Sequence, residues 1–223
     1  MNKKILLAGG SGLVGSNILT LLNNSNVELT LLSRRALEHK IGLKQIVSDF
    51  NNLHKLNGEF HFDEVYIAIG KKLSLSELIY IKKHKRENFI KVDFDYIKNV
   101  AFFAKSHGAQ SIGLISAVGA NKKSKNAYLK VKGKIESEII SMGFNKTVIA
   151  RPGHLLGKRQ IQDNKHLIWI FEKITNLFGY LLIGKFKQYR NVFASSVAKT
   201  IVSKIDDVDK GLYFLNFDDF KDR

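Results

Sequence analysis

Gly9-Gly10-Ser11-Gly12-Leu13-Val14-Gly15 lies between a short apolar run, Lys4-Ile5-Leu6-Leu7-Ala8, and a segment with Leu13, Val14, Ile18, Leu21 and Leu22 at helical spacing. The apolar run reads as a buried strand, and the helical pattern stops at Asn23-Asn24. A strand-to-helix turn leaves backbone N–H groups free at the helix N-terminus, where, with the helix dipole, they can hold a pyrophosphate. Glycine is needed where a side chain would block the phosphate or where φ is positive. Gly15 would let the helix pack closely on the strand. A glycine turn alone is a weak signal, but here the strand and helix that the motif requires flank it, so a dinucleotide is the expected ligand.

Outward from this turn, strands and helices alternate. Val27 to Leu32, Gln45 to Val47, and Glu64 to Ile69 closed by Gly70 read as strands. Glu87 to Ser106 carries a helical stripe through Ile90, Phe94, Ile97, Ala101 and Ala104, capped by Gly108. Ser111 to Ile115 is a strand, Tyr128 to Met142 a helix ended by Gly143, and Thr147 to Ala150 a strand stopped by Arg151-Pro152-Gly153, which holds the only proline. Strands apolar on both faces and separated by helices imply an α/β fold with a doubly wound parallel sheet. After Arg151 the alternation weakens. Leu167, Ile170, Phe171, Ile174, Phe178, Leu181 and Leu182 form an apolar stripe, with Trp169 beside it, and a helix over Ser195–Lys204 and a short strand over Leu212–Phe214 follow. Residues 1–223 are therefore expected to form one domain, with 151–223 a smaller substrate-side cap on the same core.

Composition narrows the chemistry. A chain of 223 residues with 44% hydrophobic residues can build one sizeable core and is not disordered throughout. The absence of cysteine excludes disulfides, thiolate metal sites and a cysteine nucleophile. The net charge of +16 would suit a nucleic-acid partner. The lysines are spread along the chain, however, and the densest runs, Lys82 to Arg86 and Lys122 to Lys125, lack interleaved aromatics, so a solvated basic surface is the expectation. No histidine pair has metal-ligand spacing, and no apolar run reaches the roughly 20 residues of a membrane span. The opening apolar stretch ends at Ala8, too short for a secretory leader, and a cytoplasmic address is expected.

Two further clusters specify a site. Ser33-Arg34-Arg35 ends the second strand, and no acid occurs between Glu28 and Glu38. NAD sites place a carboxylate there for the ribose hydroxyls, whereas arginine suits the 2′-phosphate of NADP(H), so NADP(H) is expected ahead of NAD(H). Tyr128 and Lys132 stand four residues apart on a helix, hence on one face. A lysine beside a phenol is expected to lower the tyrosine pKa and make it a usable acid or base. Ser116 lies just past the fifth strand, at the sheet end where ligands bind.

The glycine turn, Ser116, Tyr128 and Lys132, in this order, resemble the short-chain dehydrogenase/reductase superfamily. The closer resemblance is to its atypical NAD(P)-binding branch with NmrA-like and Tat-interacting-protein-like members. Ser33-Arg34-Arg35, Val92-Asp93-Phe94-Asp95-Tyr96, Ile115-Ser116 followed by Gly119-Ala120, and Arg151-Pro152-Gly153 with Leu155-Leu156 are similar to that branch's motifs. The resemblance implies a reductase of a small carbonyl or related substrate. Gly9, Gly10, Ser11, Gly12, Leu13, Val14 and Gly15 would hold the cofactor pyrophosphate, and Arg34 and Arg35 the phosphate end. Asp49 would contact adenine, and Ala68, Ile69 and Gly70 would line the adenosine side. Tyr128 would protonate the carbonyl oxygen, Lys132 would hold the nicotinamide ribose, Ser116 would bond the substrate oxygen, and Arg151 would lie near the cofactor. Asp93 stands near the place of an asparagine in typical members, and Ala117 where close relatives often have a second serine. Several members of the branch act as regulators or assembly factors, so an NADP(H)-binding protein with little turnover is the alternative. The chain is expected to be a monomer or a homodimer.

Overall fold

The strands form where branched and apolar residues run for four to seven positions between turn signals. The computed structural model describes residues 2–37, 42–157 and 184–221. The first six strands are β1 (Lys3–Ala8), β2 (Val27–Ser33), β3 (Lys44–Val47), β4 (Glu64–Ile67), β5 (Ser111–Ile115) and β6 (Lys146–Ala150). A two-strand sheet pairs β7 (Leu155–Leu156) with β8 (Val192–Phe193), and β9 (Gly211–Leu215) adds to the main sheet beside β6. The seven-stranded main sheet runs β3-β2-β1-β4-β5-β6-β9, every pair parallel. This is the doubly wound parallel architecture expected. Strand order reverses between β1 and β4, the switch point where ligands bind in sheets of this kind.

Both faces of the sheet are covered. The helices are α1 (Leu13–Asn23), the short α2 (Leu75–Ile79), α3 (Lys83–Ile90), α4 (Tyr96–Ser106), α5 (Ala127–Ser141) and α6 (Ala194–Asp207). Alternate strand residues serve alternate faces. Leu6, Ala8, Val65, Ile67, Ile112 and Leu114 pack with Ile97, Val100, Ala101 and Ala104 of α4 and Ile135 and Ile139 of α5. Ile5, Leu7, Leu29, Leu31, Val148 and Ala150 pack with Val14, Ile18 and Leu22 of α1 and Val197, Ile201 and Ile205 of α6. Thus α6 and β9, from the last quarter of the chain, belong to the same two layers as the glycine turn.

Three differences from the sequence reading have physical causes. The strand expected over Glu64–Ile69 ends at Ile67, because Ala68 and Ile69 bend over the glycine turn. The helix expected over Glu87–Ser106 starts earlier, as α3, and contains a π-helical turn at Lys91–Asp95 before α4. The extra residue rotates the buried face by one position, so Phe89 is buried and Ile90 exposed, while Ile97 and Ala101 remain inside. The last helix extends to Asp207, beyond the expected Lys204. The stripe from Leu167 to Leu182, with Trp169, lies outside the described residues. Among those described, no helix is long and apolar enough to cross a membrane.

Candidate active site

The glycine turn is held by backbone contacts that leave no room for a side chain at Gly9 or Gly15. Gly9 has φ +91°, and a Cβ there would lie 2.6 Å from the Ala68 carbonyl carbon. A Cβ on Gly15 would lie 2.0 Å from the Gly9 carbonyl oxygen. The Gly12 amide donates to that same oxygen at 2.9 Å, which closes the turn. No side chain caps α1 at Gly12, and its first turn carries no acid. The helix N-terminus therefore presents free amides and a positive dipole end to an anion. Ser11 is exposed, Gly10 and Val14 are buried, and Leu13 packs near Gly157, just past β7. Ala68 and Ile69 back onto the turn.

At the end of β2, the Ser33 hydroxyl donates to the Arg35 carbonyl at 2.7 Å, fixing the bend that exposes Arg34 and Arg35. The Arg34 guanidinium lies 5.4 Å from the Tyr96 ring centroid, and Tyr96 meets Phe50 edge-on. The exposed Asp49 carboxylate accepts from the Asn51 amide and side chain, and that amide, with Lys91 and Arg34 nearby, holds its pKa below the ordinary value. The structure thus gathers Arg34, Asp49 and Tyr96 at one corner.

The chemistry-bearing pair sits at the start of α5. Asn126 caps the helix by accepting from the Leu129 amide at 3.0 Å, and its Nδ2 donates to the carbonyls of Leu78 and Ile79. Its side chain therefore fastens the α2 segment beside Tyr128. The Tyr128 ring packs against Phe89, with centroids 5.9 Å apart. One turn on, Lys132 is buried, and its Nζ lies 2.8 Å from Asp93 Oδ1. Asp93, buried inside the π-helical turn, also accepts from the Lys71 amide through Oδ2 at 2.8 Å. Gly70 covers the pair: a Cβ there would lie 3.5 Å from Asp93 Oδ1 and 3.9 Å from Lys132 Nζ. At the end of β5, Ser116 is buried and its Oγ has no hydrogen-bond partner among the described residues.

These contacts correct one expectation. Lys132 does pull the Tyr128 phenol toward ionisation, but burial pushes it up and Asp93 adds to that push, so its pKa stands above the ordinary value. Burial pulls the Lys132 ammonium down; Asp93, Tyr128 and Glu136 together outweigh that, and it is raised. The sequence reading took the lysine's charge as unopposed. Asp93 opposes it.

Arg151 is engaged elsewhere. Its Nε and Nη2 donate to Glu136 at 3.0 and 2.5 Å, and its guanidinium stacks 4.1 Å from the Phe214 centroid. Glu136 follows Lys132 by one turn of α5, so Arg151, Glu136, Lys132 and Asp93 form a row of alternating charge reaching into the site.

Residues 5–211 match the NAD dependent epimerase/dehydratase family. The chain belongs to that family. Protein FMP52, mitochondrial, of Candida albicans is 34% identical over 166 residues, 69% of this chain and 68% of that protein. Protein HTATIP2 of Rattus norvegicus is 31% identical over 187 residues, 81% of this chain and 72% of that protein. Both belong to the atypical short-chain dehydrogenase/reductase branch that the motifs resemble. Among solved structures, MoeE5 in complex with UDP-glucose and NAD aligns with a TM-score of 0.69 at 14% identity, covering 97% of this chain and 79% of that one. A UDP-glucose 4-epimerase from Thermotoga maritima aligns at 0.68 and 14%, covering 96% and 76%. At such identities these two establish the fold.

Membership in the epimerase/dehydratase family carries NAD(P) binding and a cofactor-binding oxidoreductase fold. The glycine turn, too tight for any Cβ at Gly9 or Gly15, and the orphaned Ser116 hydroxyl fit such a ligand. The expected cytoplasmic address is overturned, because the FMP52 relatives from several yeasts are named mitochondrial. It rested on the lack of a secretory leader, which says nothing about other organelles. Sequence reasoning also missed the Asp93–Lys132 contact, the Asn126 tie and the Glu136–Arg151 pair. Asn126 had a readable signal, an Asn at the start of a helical pattern. Another was Gly133 inside α5, where a Cβ would lie 2.2 Å from the Lys122 amide nitrogen of the crossing loop.

Proposed function

We propose that this chain is an NADPH-dependent reductase of a small carbonyl compound, working in the mitochondrial compartment named for its FMP52 relatives. The observation that carries this reading is the buried Ser116 hydroxyl, without a partner of its own, at the same sheet end as Tyr128 and Lys132. When bound, the cofactor supplies the hydride. Tyr128 gives its phenolic proton to the oxygen that gains charge as the carbonyl is reduced, and Ser116 donates a hydrogen bond to the same oxygen. Lys132 keeps one N–H on Asp93 and has two others for ribose hydroxyls. The amides of Gly9 to Gly15 hold the pyrophosphate, Arg34 and Arg35 the 2′-phosphate, and Asp49 contacts the adenine. Ala68, Ile69 and Gly70 line the adenosine side, and Arg151 braces α5 behind Lys132 through Glu136. Residues 1–223 act as one domain, with 151–223 shaping the substrate side.

The test is calorimetric titration with NADPH and NADH, followed by a carbonyl screen with Tyr128→Phe as control. Arg34→Ala/Arg35→Ala is expected to weaken NADPH about tenfold or more, the worth of one charge-assisted hydrogen bond, and to leave NADH nearly unchanged. Equal affinity for both cofactors in the wild type would refute the NADPH preference. Binding without turnover of any carbonyl would favour a regulatory or assembly protein that uses NADP(H) as a ligand.

A further inference from the structure

The two densest basic runs of the sequence, Lys82 to Arg86 and Lys122 to Lys125, flank one exposed apolar pair at the end of α2. We propose that this corner, with Ile79 and Tyr80 at its tip, is a docking surface for a lipid bilayer with anionic headgroups. Ile79 is 78% exposed and Tyr80 58%. Slack in the chain does not explain this. The Ser74–Glu77 capping box closes the start of α2, and Asn126 Nδ2 donates to the Leu78 and Ile79 carbonyls at 2.8 and 3.0 Å. Ile81, one residue past the pair, is buried, and its carbonyl accepts from Arg86 Nε at 2.8 Å. The backbone is thus tied on both sides of two apolar side chains that stand in solvent.

Positive charge surrounds the pair. Lys82 and Lys83 follow it in the chain, and Lys125 directly precedes the Asn126 that touches it. These three, with Lys122 and Lys123, are exposed and make no ion pair among the described residues. Little acid offsets them. Glu77 is taken by Lys85 at 2.7 Å, Glu87 is the one other acid between Glu64 and Asp93, and none occurs between Asp95 and Glu136. An acidic surface is the complement of such a corner, and a bilayer uses both of its parts. At the interface an aliphatic side chain enters the acyl boundary, a tyrosine sits at headgroup level, and lysines meet the anionic headgroups. A nucleic acid would use the lysines alone: its phosphates gain nothing from Ile79, and the Tyr80 ring already carries the Arg86 guanidinium 5.3 Å from its centroid.

The experiment is vesicle co-sedimentation of the full chain, with a fluorescent reporter at the tip. Vesicles of phosphatidylcholine mixed with phosphatidylserine are compared with phosphatidylcholine alone. The wild-type chain is expected to sediment with the anionic vesicles, less so as salt rises, and not with the neutral ones. Lys82→Glu/Lys83→Glu is expected to weaken binding about twentyfold or more, and Ile79→Ser/Tyr80→Ser about tenfold or more. The chain has no cysteine, so Ile79→Cys gives a single site for an environment-sensitive label. That label is expected to shift to the blue on anionic vesicles and to be quenched by brominated lipid. A label on Leu212→Cys, 43% exposed near the opposite end of the strands, is expected to stay unchanged. Absence of wild-type sedimentation, or equal sedimentation with neutral vesicles, would overturn the assignment. Binding that Ile79→Ser/Tyr80→Ser leaves intact would overturn it as well, leaving adhesion of a basic surface without a docking tip. An Ile79 label already blue-shifted without vesicles would show the tip to be covered within the chain or by a second copy, and release of bound vesicles by duplex RNA at lower concentration than by soluble phosphoserine would assign the corner to nucleic acid. Wild-type sedimentation and the Ile79 label decide even where a charge variant melts early. No cofactor enters these measurements, so failure of the proposed reductase leaves them unmoved.

Discussion

Replacing Ser116 by alanine should make the protein more stable and less active at once. The hydroxyl is buried and has no partner among the described residues. A buried hydroxyl without a hydrogen bond costs about 1–3 kcal/mol relative to water. Alanine removes that cost and leaves a gap the size of one oxygen, which forfeits roughly 0.5–1 kcal/mol of packing. The net gain is about 1 kcal/mol, and in a chain of this size that raises the melting temperature by about 2–4 °C. Calorimetry or urea titration without cofactor measures it. In the same variant the carbonyl-reduction rate should drop about 100-fold, the usual cost of losing one donor to a developing oxyanion. A melting temperature lowered by more than about 2 °C would show that the hydroxyl holds the fold together. That result would refute the claim that it is kept for a ligand.

The glycine turn and the α2 segment give two more expectations. Gly15→Ala would set a Cβ 2.0 Å from the Gly9 carbonyl oxygen, so the turn must move; a loss of about 2–3 kcal/mol in urea titration and loss of NADPH binding are expected together, and unchanged binding would contradict the pyrophosphate assignment. Glu77 is depressed to about 2 by Lys85 and by the Ser74 amide and hydroxyl, so its contribution to the α2 cap is complete above the ordinary carboxylate range and is lost as pH falls through about 2. Protection of the Ser74 and Glu77 amides, their exchange relative to the intrinsic rate at each pH, should therefore hold down to about pH 3 and fall near pH 2, and loss of protection already at about pH 4.5 would show the cap to be absent in solution.

Much of this arrangement was legible in the chain because parallel strands covered on both sides must be apolar throughout, and such runs stand out between glycines. The turn at residues 9–15 and the Tyr128/Lys132 pair were readable for the same reason, since short-range spacing alone places their backbones. Asp93 was visible only as a departure from a motif. Its pairing with Lys132 crosses 39 positions of sequence, and the π-helical turn that aims it inward breaks the very repeat used to read the helix. The Tyr128 pKa came out with the wrong sign because burial of the phenol, which spacing does not state, outweighs the lysine, with Asp93 adding to it. Arg151 was read as a cofactor neighbour from its resemblance to the family branch; its bidentate contact with Glu136 depends on how α5 lies over the sheet, which no local pattern states.

The strand order has a further consequence, for how the chain assembles. In the main sheet, β2 forms beside β1 and β3 beside β2; β4 then returns to β1, β5 and β6 follow in turn, and β9 is added beside β6 after β7 and β8 have paired apart. Long-range parallel pairing is ordinarily slow, because loop closure must precede the contacts that reward it. Here the return to β1, which passes β2 and β3, is made by the short β4 ending at Ile67, and β9 returns to β6 past β7 and β8. Six of its seven strands can therefore add in the order of synthesis, each edge serving as template for the next, and the reversal of strand order beside β1 is laid down early, before the last strand closes the edge.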